Sequence, residues 1–292
     1  MYSENLLDKR IEKRQTFMKP IFSIGPLSFY LFGFMIAVGA LAGIILFTRE
    51  AKRQGLNHKL LMDGAMYSLI GGIIGARIIY ILFYNPSYYF LNPVKIFTVH
   101  EGGLSIHGGI LGGLVVGYWF LRRNKLPIWK TLDIAAPALI LAQGISRIGC
   151  DVFGGPISDS LPWGIENSGK YFHPAQAYEF LLDYILFGYL YLRLKKPSYT
   201  GQVFIHYLIG FMAIRGVVEF TRLNPMVFGP FSISHILSLI GIIIGLILIS
   251  IQKSRQPIGQ RFEIKKSDYW KTILIVLVLA VVSLLIYYLV QG

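Results

Sequence analysis

The chain has 292 residues, of which 54% are hydrophobic and only 15% charged, with a mean hydropathy of +0.56 and a formal net charge of +13. Soluble domains carry about 25% charged residues, so this composition excludes an ordinary water-soluble fold and points to an all-α integral membrane protein. The basic excess lies in short loops between apolar runs, which excludes a nucleic-acid-binding domain, and the single cysteine, Cys150, excludes a disulfide framework or a cysteine metal site.

Residues 1–20 form a basic N-terminal extension without a cleavable signal pattern, and the first apolar run reads as an uncleaved anchor. Eight apolar runs of spanning length follow, at 27–48, 62–84, 104–121, 132–149, 174–194, 203–221, 232–251 and 271–290. The spacing predicts a bundle of about seven core transmembrane helices over 21–251, then a basic loop and an eighth helix over 252–292. Cations crowd the loops after the odd-numbered runs: Arg49, Lys52, Arg53 and Lys59; Arg122, Arg123, Lys125 and Lys130; Arg193, Lys195 and Lys196; and the stretch from Lys253 to Lys271. By the positive-inside rule those loops are cytoplasmic, which puts both termini and loops 85–103, 150–173 and 222–231 outside. The extension itself, with Lys9, Arg10, Lys13, Arg14 and Lys19, runs against this orientation. Segment 85–100, NPSYYFLNPVKIFTVH, is aromatic, proline-punctuated and too polar to span, and reads as an interfacial segment.

Ionisable residues inside the runs carry the functional information. A charge at bilayer depth costs roughly 2.5–3.5 kcal/mol even on the lenient insertion scale. Such residues therefore face a cavity or a partner, and several cations together suit an anion such as a lipid phosphate. In GGIIGARIIY, residues 71–80, three glycines bring a neighbouring helix close; Arg77 then projects into the bundle or snorkels to the interface. In EGGLSIHGGILGG, residues 101–113, His107 sits among glycines, either as a general base or as a packed histidine bonded to backbone.

In AQGISRIGCDVFGG, residues 142–155, Arg147 closes the fourth run and can grip a phosphate with its planar fork. Cys150, on nearly the same face, is either a thiol nucleophile or a small buried residue. FHPAQAYEF, residues 172–180, gathers His173, Gln176, Tyr178 and Glu179 at a helix N-terminus, which favours anions or is simply a proline-led helix start. In RGVVEFTR, residues 215–222, Arg215, Glu219 and Arg222 fall at i, i+4 and i+7, so an Arg–Glu–Arg ladder on one helix face is expected. Asp133 and His206 read as interhelical hydrogen-bonding groups. No P-loop, zincin motif or lipase elbow is present, and neither a metal nor a cofactor is expected.

These segments, in this order over about residues 20–251, resemble the prolipoprotein diacylglyceryl transferase family. The resemblance rests on PIFSIGPLSFYLFGFMIAVG, GGIIGARIIYILFY, EGGLSIHGGILGG, the Arg-Ile-Gly segment, HPAQAYE, the arginine-rich end of the sixth run and ISISHILSL. It implies a multi-pass enzyme of the bacterial cytoplasmic (inner) membrane. Such an enzyme moves the diacylglyceryl group of phosphatidylglycerol onto the lipobox cysteine of a prolipoprotein, forming a thioether and releasing glycerol 1-phosphate.

It further implies that His107, Arg147 and Arg215 are catalytic and that Glu219 is the acid following the last of these; together with the residue patterns above, Arg77, Arg147, Glu219 and Arg222 are the candidates to hold the lipid and its phosphate. Departures fall at the signature segment: Ser146 replaces a glycine, Cys150 and Asp151 stand where asparagine and phenylalanine are usual, and Phe32 replaces a tyrosine. Two other readings follow from those departures: a related lipid-headgroup transferase with a different acceptor, and a non-catalytic lipid-binding membrane protein.

Overall fold

In the computed structural model, which describes residues 20–24, 27–84, 86–98, 102–157, 161–167, 169–255 and 265–291, each of the eight apolar runs becomes a helix. They are α1 (Leu31–Arg53), α2 (His58–Tyr84), α4 (Ile106–Arg123), α5 (Ile128–Arg147), α6 (Ala175–Lys195), α7 (Gln202–Glu219), α8 (Ile233–Arg255) and α9 (Lys266–Gln291), with a short α3 at Pro86–Leu91. Helix is the expected outcome where lipid offers the backbone no hydrogen bonds. Several helices run past their apolar stretch into basic residues: Lys52 and Arg53 close α1, Arg122 and Arg123 close α4, and Arg193 and Lys195 close α6. Cations there meet the negative end of the helix dipole.

Six of the eight, α1, α2, α5, α7, α8 and α9, are long and apolar enough to cross a membrane. The other two are shorter on hydropathy than on length. In α4 the glycines and the closing arginine pair dilute the apolar residues, and in α6 the buried Gln176, Glu179 and Asp183 do so. The all-α membrane class expected from the sequence is the class observed. Among the described residues, three two-stranded antiparallel hairpins punctuate it: β1 (Pro20–Ile24) with β2 (Leu27–Tyr30), β3 (Ile165–Asn167) with β4 (Lys170–Phe172), and β5 (Met226–Phe228) with β6 (Phe231–Ser232). The first hairpin corrects the start of the first run, whose residues 27–30 are strand and not helix. Most of the basic extension, residues 1–19, and the loop centre, residues 256–264, lie outside the described residues.

The chain divides into two compact units, Ile44–Thr131 and the remainder, the division falling within α1 and near the start of α5. In the first unit α2 and α4 pack through glycine faces. A methyl on Gly75 would lie 2.5 Å from the Gly108 carbonyl oxygen, and one on Gly71 would lie 2.5 Å from a Val116 methyl. Close backbone approach through small residues is the way membrane helices associate without a hydrophobic driving force. Between these helices lies the segment expected at the interface. It forms α3 and a 3₁₀ turn (Pro93–Ile96), and it leaves Phe90, Leu91, Val94 and Phe97 more than three-quarters exposed.

In the other unit, α5 and α6 carry the densest core, with Ile134, Ala136, Ile140, Phe180, Tyr184 and Leu190 all fully buried. The first half of α1 lies against α5, where a methyl on Gly39 would sit 2.6 Å from the Ala142 carbonyl oxygen. Asp133 is the interhelical link expected: its carboxylate accepts from the backbone N–H groups of Gly201 (2.6 Å) and Phe204 (2.9 Å), capping the start of α7. His206 likewise joins α7 to α6, its Nδ1 2.6 Å from the Tyr189 hydroxyl.

Candidate active site

In the unit that contains α5 to α9, three sequence-distant segments are knitted together by main-chain bonds. The amide of Gly154 donates to the His173 carbonyl (2.8 Å), that of Gly155 to the Thr221 carbonyl (2.7 Å), and that of His173 back to the Gly155 carbonyl (2.9 Å). A methyl on Gly154 would strike the Thr221 carbonyl and would sit 2.8 Å from the His173 Cβ. The loop after α5, the approach to α6 and the end of α7 are thereby fixed side by side, and each carries a charged residue of the site.

Arg147, the last residue of α5, places Nη2 2.8 Å from Oε1 of Glu179 on the first turns of α6. Arg222, just beyond α7, places Nη2 2.8 Å from the other oxygen, Oε2. Glu179 is 1% exposed and so holds two guanidinium groups from inside the protein. Arg215 pairs with Glu219 one turn on, at 2.6 Å. Glu219 is organised in turn by the Asn224 amide (2.7 Å) and the Ser232 hydroxyl (2.6 Å), and Arg215 donates to the Ser234 hydroxyl at 3.3 Å.

Arg215 lies within electrostatic range of Arg222, Glu219, Glu179 and Arg147, so the five form one cluster. Three guanidinium groups face two glutamates. The Arg side chains stay 27, 20 and 11% exposed for Arg147, Arg215 and Arg222. Arg215 Nη1 and Arg222 Nε are buried without a hydrogen-bond partner among the described residues.

The ladder expected on one helix face is half right. Arg215 and Glu219 pair as spaced, but Arg222 reaches Glu179 and not Glu219. The reason is that α7 ends at Glu219 and the chain turns, Thr221 and Arg222 amides closing on the Val218 and Glu219 carbonyls. Glu179 was legible as a polar group at a helix start, without the two arginines it bridges. Asp183, one turn further along α6, belongs to no motif in the sequence. It is fully buried, with neither carboxylate oxygen hydrogen-bonded to a described residue, and it lies within electrostatic range of Arg147 and Glu179. The signal available for it was an acid inside an apolar run.

Cys150 is buried, with its thiol beside the Arg147 guanidinium. Ser146 turns its hydroxyl back to the Ala142 carbonyl (2.7 Å). Phe32 reaches this neighbourhood through its backbone, since a methyl on Gly149 would lie 2.6 Å from the Leu31 carbonyl oxygen and 2.8 Å from the Phe32 Cα.

Arg77 and His107 belong to the other unit. Arg77 is buried, and its guanidinium donates to four backbone carbonyls: Lys95 (2.5 Å), Ile96 (2.9 Å), Gly102 (2.7 Å) and Gly103 (2.9 Å). Gly102 and Gly103 have φ of +90° and +75°, backbone that only glycine adopts freely, and this turns both carbonyls onto the arginine. Tyr89 stacks over the same guanidinium at 5.2 Å. His107 follows directly, in the first turn of α4, whose N-cap Ser105 accepts from the Gly108 amide at 3.4 Å. The imidazole is exposed, and no described residue engages it.

The family model for prolipoprotein diacylglyceryl transferase matches residues 19–251, which leaves α9 outside the match. Among curated proteins, the chain is 35% identical over 220 residues to a phosphatidylglycerol--prolipoprotein diacylglyceryl transferase of Clostridioides difficile, covering 74% of this chain and 88% of the relative. It is 37% identical over 246 residues to the Staphylococcus haemolyticus protein of the same name, covering 78% and 86%. It is 35% identical over 243 residues to that of Trichormus variabilis, covering 76% and 85%. A family match across the arginine–glutamate cluster and the His107 segment alike, together with relatives of this identity and coverage, establishes that the chain belongs to the prolipoprotein diacylglyceryl transferase family.

Proposed function

We propose that this protein transfers the diacylglyceryl group of phosphatidylglycerol to the lipobox cysteine of prolipoproteins in the bacterial cytoplasmic membrane. The observation that carries the reading is the cluster of Arg147, Arg215 and Arg222 against only two glutamates, with guanidinium donors left over. In the reaction, the cysteine sulfur bonds to the glyceryl carbon that bears the phosphate. The carbon–oxygen bond to that phosphate breaks, and glycerol 1-phosphate departs with its electron pair.

Negative charge grows on the departing phosphate, and Arg147 and Arg215 stabilise it while Arg222 and Glu219 hold the headgroup in place. Glu179 and Glu219 keep the arginines oriented, so little reorganisation is needed as the charge moves. The thiolate and not the thiol is the nucleophile, and His107 takes up the thiol proton. Arg77 supports the lipid site indirectly, by fixing the glycine turn that leads into His107.

The test is transfer to a lipobox peptide from phosphatidylglycerol vesicles, read by mass spectrometry as a diacylglyceryl addition. Wild type is expected to lipidate the peptide. His107→Ala is expected to lose roughly 100-fold to 10,000-fold in turnover without loss of inserted, folded protein, because the imidazole supports no packing. An unmodified peptide with wild type, while glycerol phosphate is still released to another acceptor, would replace this reading with a different headgroup transfer.

A further inference from the structure

The helix outside the family match is built against the site. Over its apolar stretch α9 is mostly exposed, yet on the side toward α6 it buries Thr272, Ser283 and Tyr287 to 3% exposure or less. A phenol buried in apolar surroundings is costly unless it is hydrogen-bonded. Tyr287 donates to Oε1 of Gln176 at 3.2 Å. The Gln176 amide then donates to the Cys150 carbonyl at 3.1 Å, and the Cys150 amide closes on the Arg147 carbonyl at 3.2 Å.

The neighbouring Tyr288 donates to the Trp163 carbonyl at 2.8 Å, and the Trp163 indole N–H donates to the Tyr178 hydroxyl at 2.9 Å. Both chains thus reach the first turn of α6, through Gln176 and Tyr178, immediately ahead of Glu179. Both also reach main-chain carbonyls of the loop that leaves Arg147, one at each end of it. A helix serving only as a second anchor needs none of this.

We propose that α9 is a working part of the site: Tyr287 and Tyr288 are positioning residues that clamp the loop after α5 and so hold Arg147 in register with Glu179. The proposal rests on the transferase reading for its catalytic consequence. The clamp itself is physical and can be read independently through Cys150, the single cysteine of the chain, which lies buried inside it.

The experiment compares Tyr287→Phe with Ser283→Ala in the full-length protein. Tyr287→Phe removes one hydroxyl and keeps the ring packed on Phe180 at 5.9 Å. Ser283→Ala cuts a hydrogen bond to Tyr184 (2.8 Å) on the same side of α9, away from the loop. Two readouts are taken: kcat and KM for phosphatidylglycerol, and the rate of Cys150 alkylation by N-ethylmaleimide in native membranes. For Tyr287→Phe, kcat is expected to fall roughly fivefold with KM within about twofold, as for loss of one net hydrogen bond acting at the transition state. Cys150 is expected to alkylate roughly fivefold faster as the loop loosens.

Ser283→Ala is expected to change neither. If the two variants behave alike, or if Tyr287→Phe leaves both kcat and the Cys150 rate at wild-type values, the proposal is overturned. A wild-type chain that transfers no lipid but whose Cys150 responds to Tyr287→Phe alone supports the clamp and sinks the transferase reading.

Discussion

Arg77 and Arg147 are the same side chain put to opposite uses. Arg77, in the α2–α4 unit, is 6% exposed and gives four hydrogen bonds to main-chain carbonyls, so its donors are nearly used up by the fold. Arg147, in the α5–α9 unit, is about a quarter exposed and shares a single buried carboxylate with Arg222. Carbonyl dipoles satisfy a guanidinium without cancelling its charge, and they come from a chain segment that is thereby tied down. A shared glutamate orients two guanidinium groups and leaves charge and donors to spare. The difference separates an arginine bound up with a loop from arginines proposed above to take a phosphate, although the resemblance assigns all of them to phosphate.

Substitutions that exchange these roles test the contrast. Glu179→Gln is expected to have the largest effect, roughly a 100-fold or greater loss of transfer, because two arginines lose the charge that aims them. The lipobox-peptide assay reads it, and wild-type turnover in Glu179→Gln would mean that the cluster is not organised by that carboxylate. Arg77→Ala is expected to act on the other axis, destabilising the protein by about 3 kcal/mol or more through four abandoned carbonyls while turnover per folded molecule stays near wild type. Thermal unfolding in detergent alongside the same assay distinguishes the two, and a turnover defect with unchanged stability would return Arg77 to the phosphate. Gly75→Ala is expected to be milder, about 1–3 kcal/mol of overpacking where α2 meets α4, again with turnover preserved.

What the sequence reveals divides along the same line. The eight helices are legible because lipid leaves a long apolar run little choice but helix, and the glycine faces of α2 and α4 are legible because small residues mark close approach. The pair Arg215–Glu219 is legible from one-turn spacing. The partner of Arg222 is not, because it depends on where α7 stops and on a loop-to-loop bond between Gly155 and Thr221 that no local pattern encodes. The role of Glu179 as a bridge between residues 32 positions before it and 43 after it is hidden for the same reason. The strand at 27–30 is hidden because an apolar run of four residues reads equally well as the start of a helix. The packing of α9 on α6, which buries Thr272, Ser283 and Tyr287, is hidden because a few polar residues in a long apolar run do not name their partners.

The cradle around Arg77 also bears on how this protein tolerates sequence drift. Its four acceptors are peptide carbonyls, which every amino acid supplies, so no side-chain change at Lys95 or Ile96 removes one. The side chains at those two positions are therefore free to change without loosening the cradle, whereas Tyr89, whose ring lies over the guanidinium, is not. The constraint falls on Gly102 and Gly103, whose backbone angles aim the remaining carbonyls. Variation among descendants of this chain should accordingly be tolerated at Lys95 and Ile96 and stop at Gly102 and Gly103.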